Sequence, residues 1–112
     1  MSDATTVSQS RAIRRADLTW IEHGPGSRFA VLEVPPTGGV ITLTRFDAGA
    51  VGGWHNHPGG EQLYMVFGHI RLDGHDLRGG DFLFTPPGVR HQVEALEDSE
   101  LFVVLPQLPV YD

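Results

Sequence analysis

Glycine and proline interrupt this sequence so often after residue 18 that only short runs remain, and no stretch carries the apolar stripe of a helix. The 112 residues include 14 Gly and 8 Pro. In the run 40–47, Ile41 and Leu43 point to one face and Thr42 and Thr44 to the other. Short alternating runs separated by turns are typical of β-sandwiches and barrels. The sequence therefore predicts an all-β fold.

Nine predicted strands are distributed along the chain from residue 18 to residue 105. They lie at 18–22, 28–34, 40–47, 61–67, 69–73, 75–77, 81–85, 91–95 and 101–105. Asp73-Gly74 predicts a hairpin, because a tight type I′ turn needs positive φ at both positions. The length suits one domain. We expect residues 17–112 to form a single barrel and residues 1–16 to be a polar N-terminal arm, either mobile or packed on a partner subunit.

Charge and composition exclude several classes of function. The chain has 8 basic residues, all Arg, against 14 acidic ones, and its formal net charge is −6. Without a basic stripe, neither nucleic acid nor an anionic membrane surface is an expected partner. The chain has no Cys, so disulfides, thiolate metal sites and cysteine nucleophiles are excluded. The first twenty residues lack an apolar segment of signal-peptide length, and a cytoplasmic location is predicted.

One segment carries the residues with the clearest chemistry. His55 and His57 are two apart, so on a strand both imidazoles point to the same face. Glu61 follows the Pro/Gly corner 58–60, which can bend the chain and present the carboxylate to the same point. His91 comes shortly after another Pro/Gly turn and is a further candidate ligand.

Three neutral imidazoles and one carboxylate suit a divalent transition metal, namely Fe, Mn, Co, Ni, Cu or Zn. The same set suits Ca²⁺ and Mg²⁺ poorly, because these ions prefer oxygen ligands. An octahedral ion held by four protein ligands keeps two positions for water, substrate or dioxygen. A tetrahedral ion with four protein ligands is closed, and its role is structural. The coordination number therefore decides whether such a site reacts.

These residues resemble the two sequence motifs of the cupin superfamily. The first motif has Gly, five residues, His-x-His, three or four residues, Glu, six residues and Gly, and it reads here Gly49, His55, His57, Glu61 and Gly68. The second has Gly, five residues, Pro-x-Gly, two residues, His, three residues and Asn. It reads here Gly80, Pro86, Gly88 and His91, with Ala95 in the place of Asn. The resemblance implies a double-stranded β-helix, or jelly-roll β-barrel.

The resemblance also implies a metal site. Cupin ligands are the two histidines and the glutamate of the first motif and the histidine of the second, which fall here on His55, His57, Glu61 and His91. In some cupins this glutamate detaches and acts as a base, which makes Glu61 a candidate catalytic residue. Small cupins commonly pair through their sheets, so the resemblance implies a homodimer.

Three functions follow from this resemblance. The leading one is a metal-dependent enzyme with dioxygenase-type chemistry on a small organic substrate, using Fe, Mn, Ni or Cu. The second is non-redox isomerisation, elimination or cyclisation at a Lewis-acid ion such as Zn. The third is a non-enzymatic ligand-binding module. Fold alone does not choose between them.

Other polar residues are given structural roles. His69 and His75 lie on the short hairpin and are expected to be exposed, and His23 in its Gly/Pro turn is expected to have no part in the site. Arg45 and Arg90 flank the site in sequence. Surface ion pairs are the expected role of both, rather than recognition of a substrate carboxylate.

The apolar side chains are expected to form the core. Alternation from Glu61 places Phe67 on the inward face of its strand. Phe82 shares a face with Phe84, and Phe102 with Val104. Small barrels fill their interior with side chains, so all of these are predicted to be core rather than pocket wall.

Overall fold

The computed structural model describes residues 9–111, and within this range the regular secondary structure is almost entirely β. One 3-10 turn, Arg15–Asp17, precedes the first strand. The strands are β1 Trp20–Glu22, β2 Ser27–Glu33, β3 Val40–Phe46, β4 His55–Asn56, β5 Glu61–Phe67, β6 His69–Leu72, β7 His75–Arg78, β8 Phe82–Thr85, β9 Arg90–His91, β10 Val93–Ala95, β11 Ser99–Leu105 and β12 Val110–Tyr111. The predicted all-β fold is confirmed.

The strands form one large sheet and two small ones, and all pairings between them are antiparallel. The large sheet has the order β1-β2-β3-β11-β5-β8, and the small sheets have the orders β9-β4-β12 and β10-β6-β7. Strands distant in sequence are neighbours, as β3 and β11 are, which is the mark of a jelly roll rather than of a simple meander. The fold is the predicted jelly-roll β-barrel.

The core lies between the large sheet and the β10-β6-β7 sheet. Leu63 and Met65 face inward from β5, and Ile70 and Leu72 face them from β6. Each fully buried side chain of this kind contributes about 1.5–3 kcal/mol. Several core residues, among them Leu63 and Leu72, also line the pocket described below.

Two local features explain how the small sheets are held. The β6–β7 hairpin turns at Asp73 (φ 50°) and Gly74 (φ 77°), which is the predicted turn with positive φ at both residues. Ala95, which replaces the usual Asn of the second motif, is buried. Its N–H donates to the Ala50 carbonyl at 2.9 Å, and its carbonyl accepts the N–H of Gly49 at 2.8 Å. Its main chain therefore fixes the segment that leads to the candidate ligands.

The aromatic residues of the large sheet correct one prediction. Phe82 and Phe84 share a face, as predicted, but each is 57% exposed and neither is core. Phe102 is 36% exposed on the same outer face. Phe67 is also exposed, at 39%, because a register shift beside Glu100 ends the regular alternation of β5 against β11. Alternation specifies which residues share a face, but not which face is buried.

Two further differences concern segments next to the site. The two-residue strands β4 and β12 are too short to show alternation and were not among the predicted strands. His69 is buried, contrary to prediction, with its Nε2 atom 3.0 Å from Asp76 Oδ1. This contact lies across the β6–β7 hairpin, which explains why a hairpin histidine is not exposed.

The predicted N-terminal arm lies only partly within the described residues, because 1–8 fall outside them, as does Asp112. Arg15 forms an ion pair with Glu100, a carboxylate only 2% exposed on β11. Arg45 Nε lies 3.5 Å from the same carboxylate. Within residues 9–111 there is no helix with the length and apolarity needed to cross a membrane.

Candidate metal centre

Two short strands bring the candidate histidines together. β4 and β9 pair antiparallel with His55 directly opposite His91, and their ring centroids are 4.7 Å apart. His57 lies two residues beyond His55, and the Nε2 atoms of these two rings are 3.1 Å apart. One ring nitrogen from each of the three histidines lies within 4.8 Å of the others, and all three side chains are buried. The group could therefore hold a metal ion.

Glu61 reaches the same place from the start of β5. The Gly60 N–H donates to the His57 carbonyl at 2.9 Å, which closes the turn between them. Gly60 has φ +82°, and a Cβ there would lie 2.9 Å from the Thr85 carbonyl oxygen. Only glycine allows this close approach without strain. The turn sets Glu61 Oε2 3.5 Å from His57 Nε2, and Glu61 Oε1 3.8 Å from His91 Nε2.

The distances between these side-chain atoms are compatible with coordination of one shared ion. Ligand nitrogens and oxygens lie about 2.0–2.2 Å from a transition metal, so two ligands at 90–110° are about 3.0–3.5 Å apart. The His55–His57 separation of 3.1 Å and the His57–Glu61 separation of 3.5 Å lie within that range. The His91–Glu61 separation of 3.8 Å is slightly wider. The three histidines thus meet at one point, and the Glu61 carboxylate lies beside them.

Hydrogen bonding prepares His55 as a ligand. Its Nδ1–H donates to the Gly53 carbonyl at 2.8 Å, which leaves the Nε2 lone pair directed at His57 and the centre of the group. A fixed tautomer of this kind is the usual arrangement of a metal-binding histidine. Glu61 Oε1 is buried and has no hydrogen-bond partner within residues 9–111. A cation at the centre would satisfy that oxygen, and an unpaired buried acceptor is otherwise costly.

Burial determines the protonation states of His57, His91 and Glu61 when no ion is bound. Desolvation lowers the pKa of His57 to about 4, with smaller contributions from His55 and His91. Desolvation likewise lowers the pKa of His91 to about 4. It raises the pKa of Glu61 to about 7. Near neutral pH these two imidazoles are therefore neutral and ready to ligate, while Glu61 holds a proton for a substantial part of the time.

The group lies in the wall of a pocket of about 570 Å³ between the sheets. His55, His57, Glu61 and His91 line one side of it. The large sheet lines the other side with mainly apolar side chains, namely Phe29, Val31, Val40, Thr42, Thr44, Phe46, Leu101, Val103 and Leu105. The volume is within the range of small-molecule sites, about 300–1,000 Å³. A bound molecule would contact the polar group at one end and apolar walls elsewhere.

Sequence reasoning missed two residues of this pocket. Tyr111 on β12 pairs with His55 on β4, and their ring centroids are 4.9 Å apart. The Tyr111 hydroxyl lies 3.1 Å from His23 Nε2, at hydrogen-bond distance. Burial raises the pKa of Tyr111, and the charge of Glu61 contributes. No motif carries either residue, and it is the pairing of β12 with β4 that brings Tyr111 to the site.

The remaining candidates lie away from the pocket. His75 is exposed on the β6–β7 hairpin, as predicted. Arg45 is on the outer face of the large sheet beside Glu100. Arg90 is adjacent to His91 in sequence, but its guanidinium stacks over the Trp54 ring at 4.6 Å in a separate shallow cleft. Neither arginine lines the pocket that contains the histidines.

Comparisons with known proteins agree with the fold. The family model described as the ChrR cupin-like domain matches residues 8–109. DNA damage-repair/toleration protein DRT102 of Arabidopsis thaliana is 31% identical over 96 residues, which cover 80% of this chain and 30% of that protein. This chain therefore spans less than a third of the length of that curated relative.

Solved structures are similar at lower identity. A chain in the complex of Rhodobacter sphaeroides SigE with the anti-sigma ChrR superposes with a TM-score of 0.74 at 22% identity, covering 82% of this chain and 51% of that chain. An acetylacetone dioxygenase from Acinetobacter johnsonii superposes with a TM-score of 0.76 at 15% identity, covering 89% of this chain and 74% of that chain. At these identities the similarity is one of fold.

Proposed function

Because this chain belongs to the ChrR cupin-like domain family, we propose that it binds a divalent transition-metal ion and uses it to transform a small organic molecule. The ligands in this proposal are His55, His57, Glu61 and His91. The observation that carries it is the convergence of three buried histidine nitrogens within 4.8 Å of one another in the wall of a 570 Å³ pocket. A purely structural site would not need such a pocket beside it.

The leading reaction is dioxygenase-type chemistry on a small organic substrate, in line with the name of the Acinetobacter neighbour, an acetylacetone dioxygenase. An Fe, Mn, Ni or Cu ion in this site would supply the redox chemistry, and the protein supplies its surroundings. The apolar wall opposite the histidines gives a bound molecule surroundings of low polarity. His55 is oriented through Gly53, which keeps its Nε2 lone pair available. Glu61 Oε1 is a place where a substrate proton can be held.

A second candidate is non-redox isomerisation, elimination or cyclisation. The raised pKa of Glu61, about 7, favours it, because a carboxyl group that titrates near neutral pH suits proton transfer as a general base or acid. In this case an ion such as Zn would act as a Lewis acid, and Glu61 would move a proton between two positions of the substrate.

Oxygen uptake by protein loaded anaerobically with Fe²⁺ tests the proposed function. Wild-type protein should consume oxygen in proportion to substrate with one member of a panel of neutral diketones and hydroxyketones. His91→Ala should abolish this uptake, and His75→Ala, an exposed histidine outside the pocket, should leave it unchanged. Equal turnover without oxygen would overturn the oxidative reaction in favour of the non-redox one. Ligand binding without turnover would leave a binding module, the third candidate.

We also propose that the chain forms a homodimer through the outer face of its large sheet. An aromatic face, defined here as Tyr64, Phe82, Phe84 and Phe102, crosses the three adjacent strands β11, β5 and β8. Tyr64 is directly opposite Phe82 on one side and Phe102 on the other, and all four side chains are 36–57% exposed. A contiguous uncharged aromatic surface of this kind marks an interaction site. A second copy covers it without like-charge repulsion, as a two-fold interface requires.

A further inference from the structure

The side of the pocket opposite the histidines carries no cationic group. Within the part of the chain that the structure describes, the ionisable residues that line the whole pocket are the three site histidines, Glu61, His23 and Tyr111. All basic residues of the chain are arginines. They all lie within the described residues 9–111, and none of them lines the pocket. A substrate carboxylate, sulfonate or phosphate held in this wall would therefore have no guanidinium to pair with.

Two pairs of polar side chains in the pocket lining already hydrogen-bond to each other. The hydroxyls of Thr42 and Thr44 lie 3.1 Å apart and hydrogen-bond to each other. The Tyr111 hydroxyl is at hydrogen-bond distance from His23 Nε2. A ligand rich in hydroxyls, such as a sugar, would bury many donors and acceptors against apolar atoms, and each unpaired one opposes binding. The wall selects for a molecule with very few polar atoms.

The apolar residues of the wall form a continuous surface across adjacent strands. Thr44 pairs in register with Phe29 on β2 and with Leu101 on β11, and Val103 is directly opposite Leu63 on β5. The pocket thus offers a hydrophobic surface several strands wide. Such a surface stabilises a bound hydrocarbon chain or ring by removing its apolar area from water.

From these observations we infer that the pocket takes a neutral, largely apolar molecule whose polar head, one carbonyl or hydroxyl oxygen or two neighbouring ones, lies at the histidine end and whose hydrocarbon part lies against the large sheet. The inference deepens the proposed function by naming the substrate class of the same pocket. It excludes sugars, and it excludes acids whose charged group would lie against the large sheet. A bound metal would contact only the head group, so the affinity of the pocket for the hydrocarbon part should not depend on the metal.

A pair of isosteric probes tests this inference. 2-Nonanone and octanoate share the same alkyl chain and differ in having a methyl group or a charged oxygen on the carbonyl carbon. Calorimetric titration of metal-free protein should show 2-nonanone binding at least about tenfold more tightly than octanoate, because the anion is desolvated without a partner. A hexose of similar size should show no binding. Octanoate binding as tightly as the ketone, or the hexose binding comparably, would overturn the inference.

A pair of variants supplies the converse test. Val31 lines the pocket and is 37% exposed, so an arginine fits there without being forced into a closed core. Val31→Arg should raise the affinity for octanoate at least about tenfold, since the guanidinium pairs with the carboxylate. Val34→Arg is the matched control, three residues along the chain, 61% exposed and outside the pocket lining, and it should have no effect. An unchanged octanoate affinity in a folded Val31→Arg protein would contradict the inference.

The metal measurement keeps the two proposals separate. If metal-free protein prefers 2-nonanone but never takes up a transition metal, the proposed metal-dependent function fails and the substrate class stands. If the protein binds metal at its histidines but does not prefer the ketone to octanoate, the substrate class fails and the metal site stands.

Discussion

The main chain of His57 holds the loop that leads to His91: the N–H of Gly88 donates to the His57 carbonyl at 2.9 Å. The same carbonyl accepts the N–H of Gly60, also at 2.9 Å. Two turns from different parts of the sequence, one before Glu61 and one before His91, are therefore tied to a single oxygen. The geometry of the candidate site depends on these turns as much as on its side chains.

The two glycines whose N–H groups donate to the His57 carbonyl have different surroundings. Alanine substitutions at the two positions therefore form a matched pair. Gly60 and Gly88 both have positive φ, +82° and +84°. Gly88→Ala should cost about 1–2 kcal/mol, the strain of this backbone conformation, because nothing lies within 4 Å of the new Cβ. Gly60→Ala should cost at least about 1 kcal/mol more, since its Cβ meets the Thr85 carbonyl. Urea unfolding measures both; equal losses would contradict the account of the Gly60 turn.

Metal binding should release a proton from Glu61. At pH 6 a carboxyl with a pKa of about 7 is mostly protonated, whereas His57, with a pKa of about 4, is already neutral. Binding of Ni²⁺ should therefore release about one proton at pH 6, and close to none at pH 8.5, where Glu61 is ionised beforehand. Calorimetry in buffers of different ionisation enthalpy measures this number.

The substitution Glu61→Gln distinguishes the source of that proton. The variant should bind Ni²⁺ more weakly and release about one proton fewer than wild type at pH 6, because the amide carries no titratable group. Undiminished proton release by Glu61→Gln at pH 6 would assign the proton to a histidine instead. The ionisation described here for Glu61 would then be wrong.

The aromatic face should control association. Phe82 is 57% exposed and lies opposite Tyr64, so Phe82→Glu places a charge within the proposed interface. Light scattering at micromolar concentration should give twice the 12.3 kDa chain mass for wild type and the chain mass for Phe82→Glu. Val34→Glu, an exposed apolar position on a different part of the surface, should remain dimeric. A wild-type protein of 12.3 kDa would rule out the dimer.

Much of the fold could be predicted from residue patterns because its longer strands show clear signals. β5 was predicted at 61–67 and is observed at Glu61–Phe67. The Asp73-Gly74 hairpin was located from its turn residues alone. Both predictions depend on interactions between residues close together in the sequence, where alternation and turn chemistry are informative.

The parts that escaped prediction depend on long-range pairing. Tyr111 reaches the pocket only because β12 pairs with β4, a contact between segments far apart in the chain. Its partner His23 was expected to have no part in the site, yet it lines the pocket. Phe82 and Phe84 were predicted to be core, because an alternating pattern does not reveal that the outer face of the sheet is the apolar, exposed one.

The most direct test of the central claim is the metal content of protein purified without a chelating tag and loaded anaerobically with Fe²⁺. The account predicts about one ion per chain in wild type and in His75→Ala, and loss of the ion in His91→Ala, whose ring lies opposite His55 in the buried group. Absence of stoichiometric metal from wild type, or full retention by a folded His91→Ala variant, would contradict it.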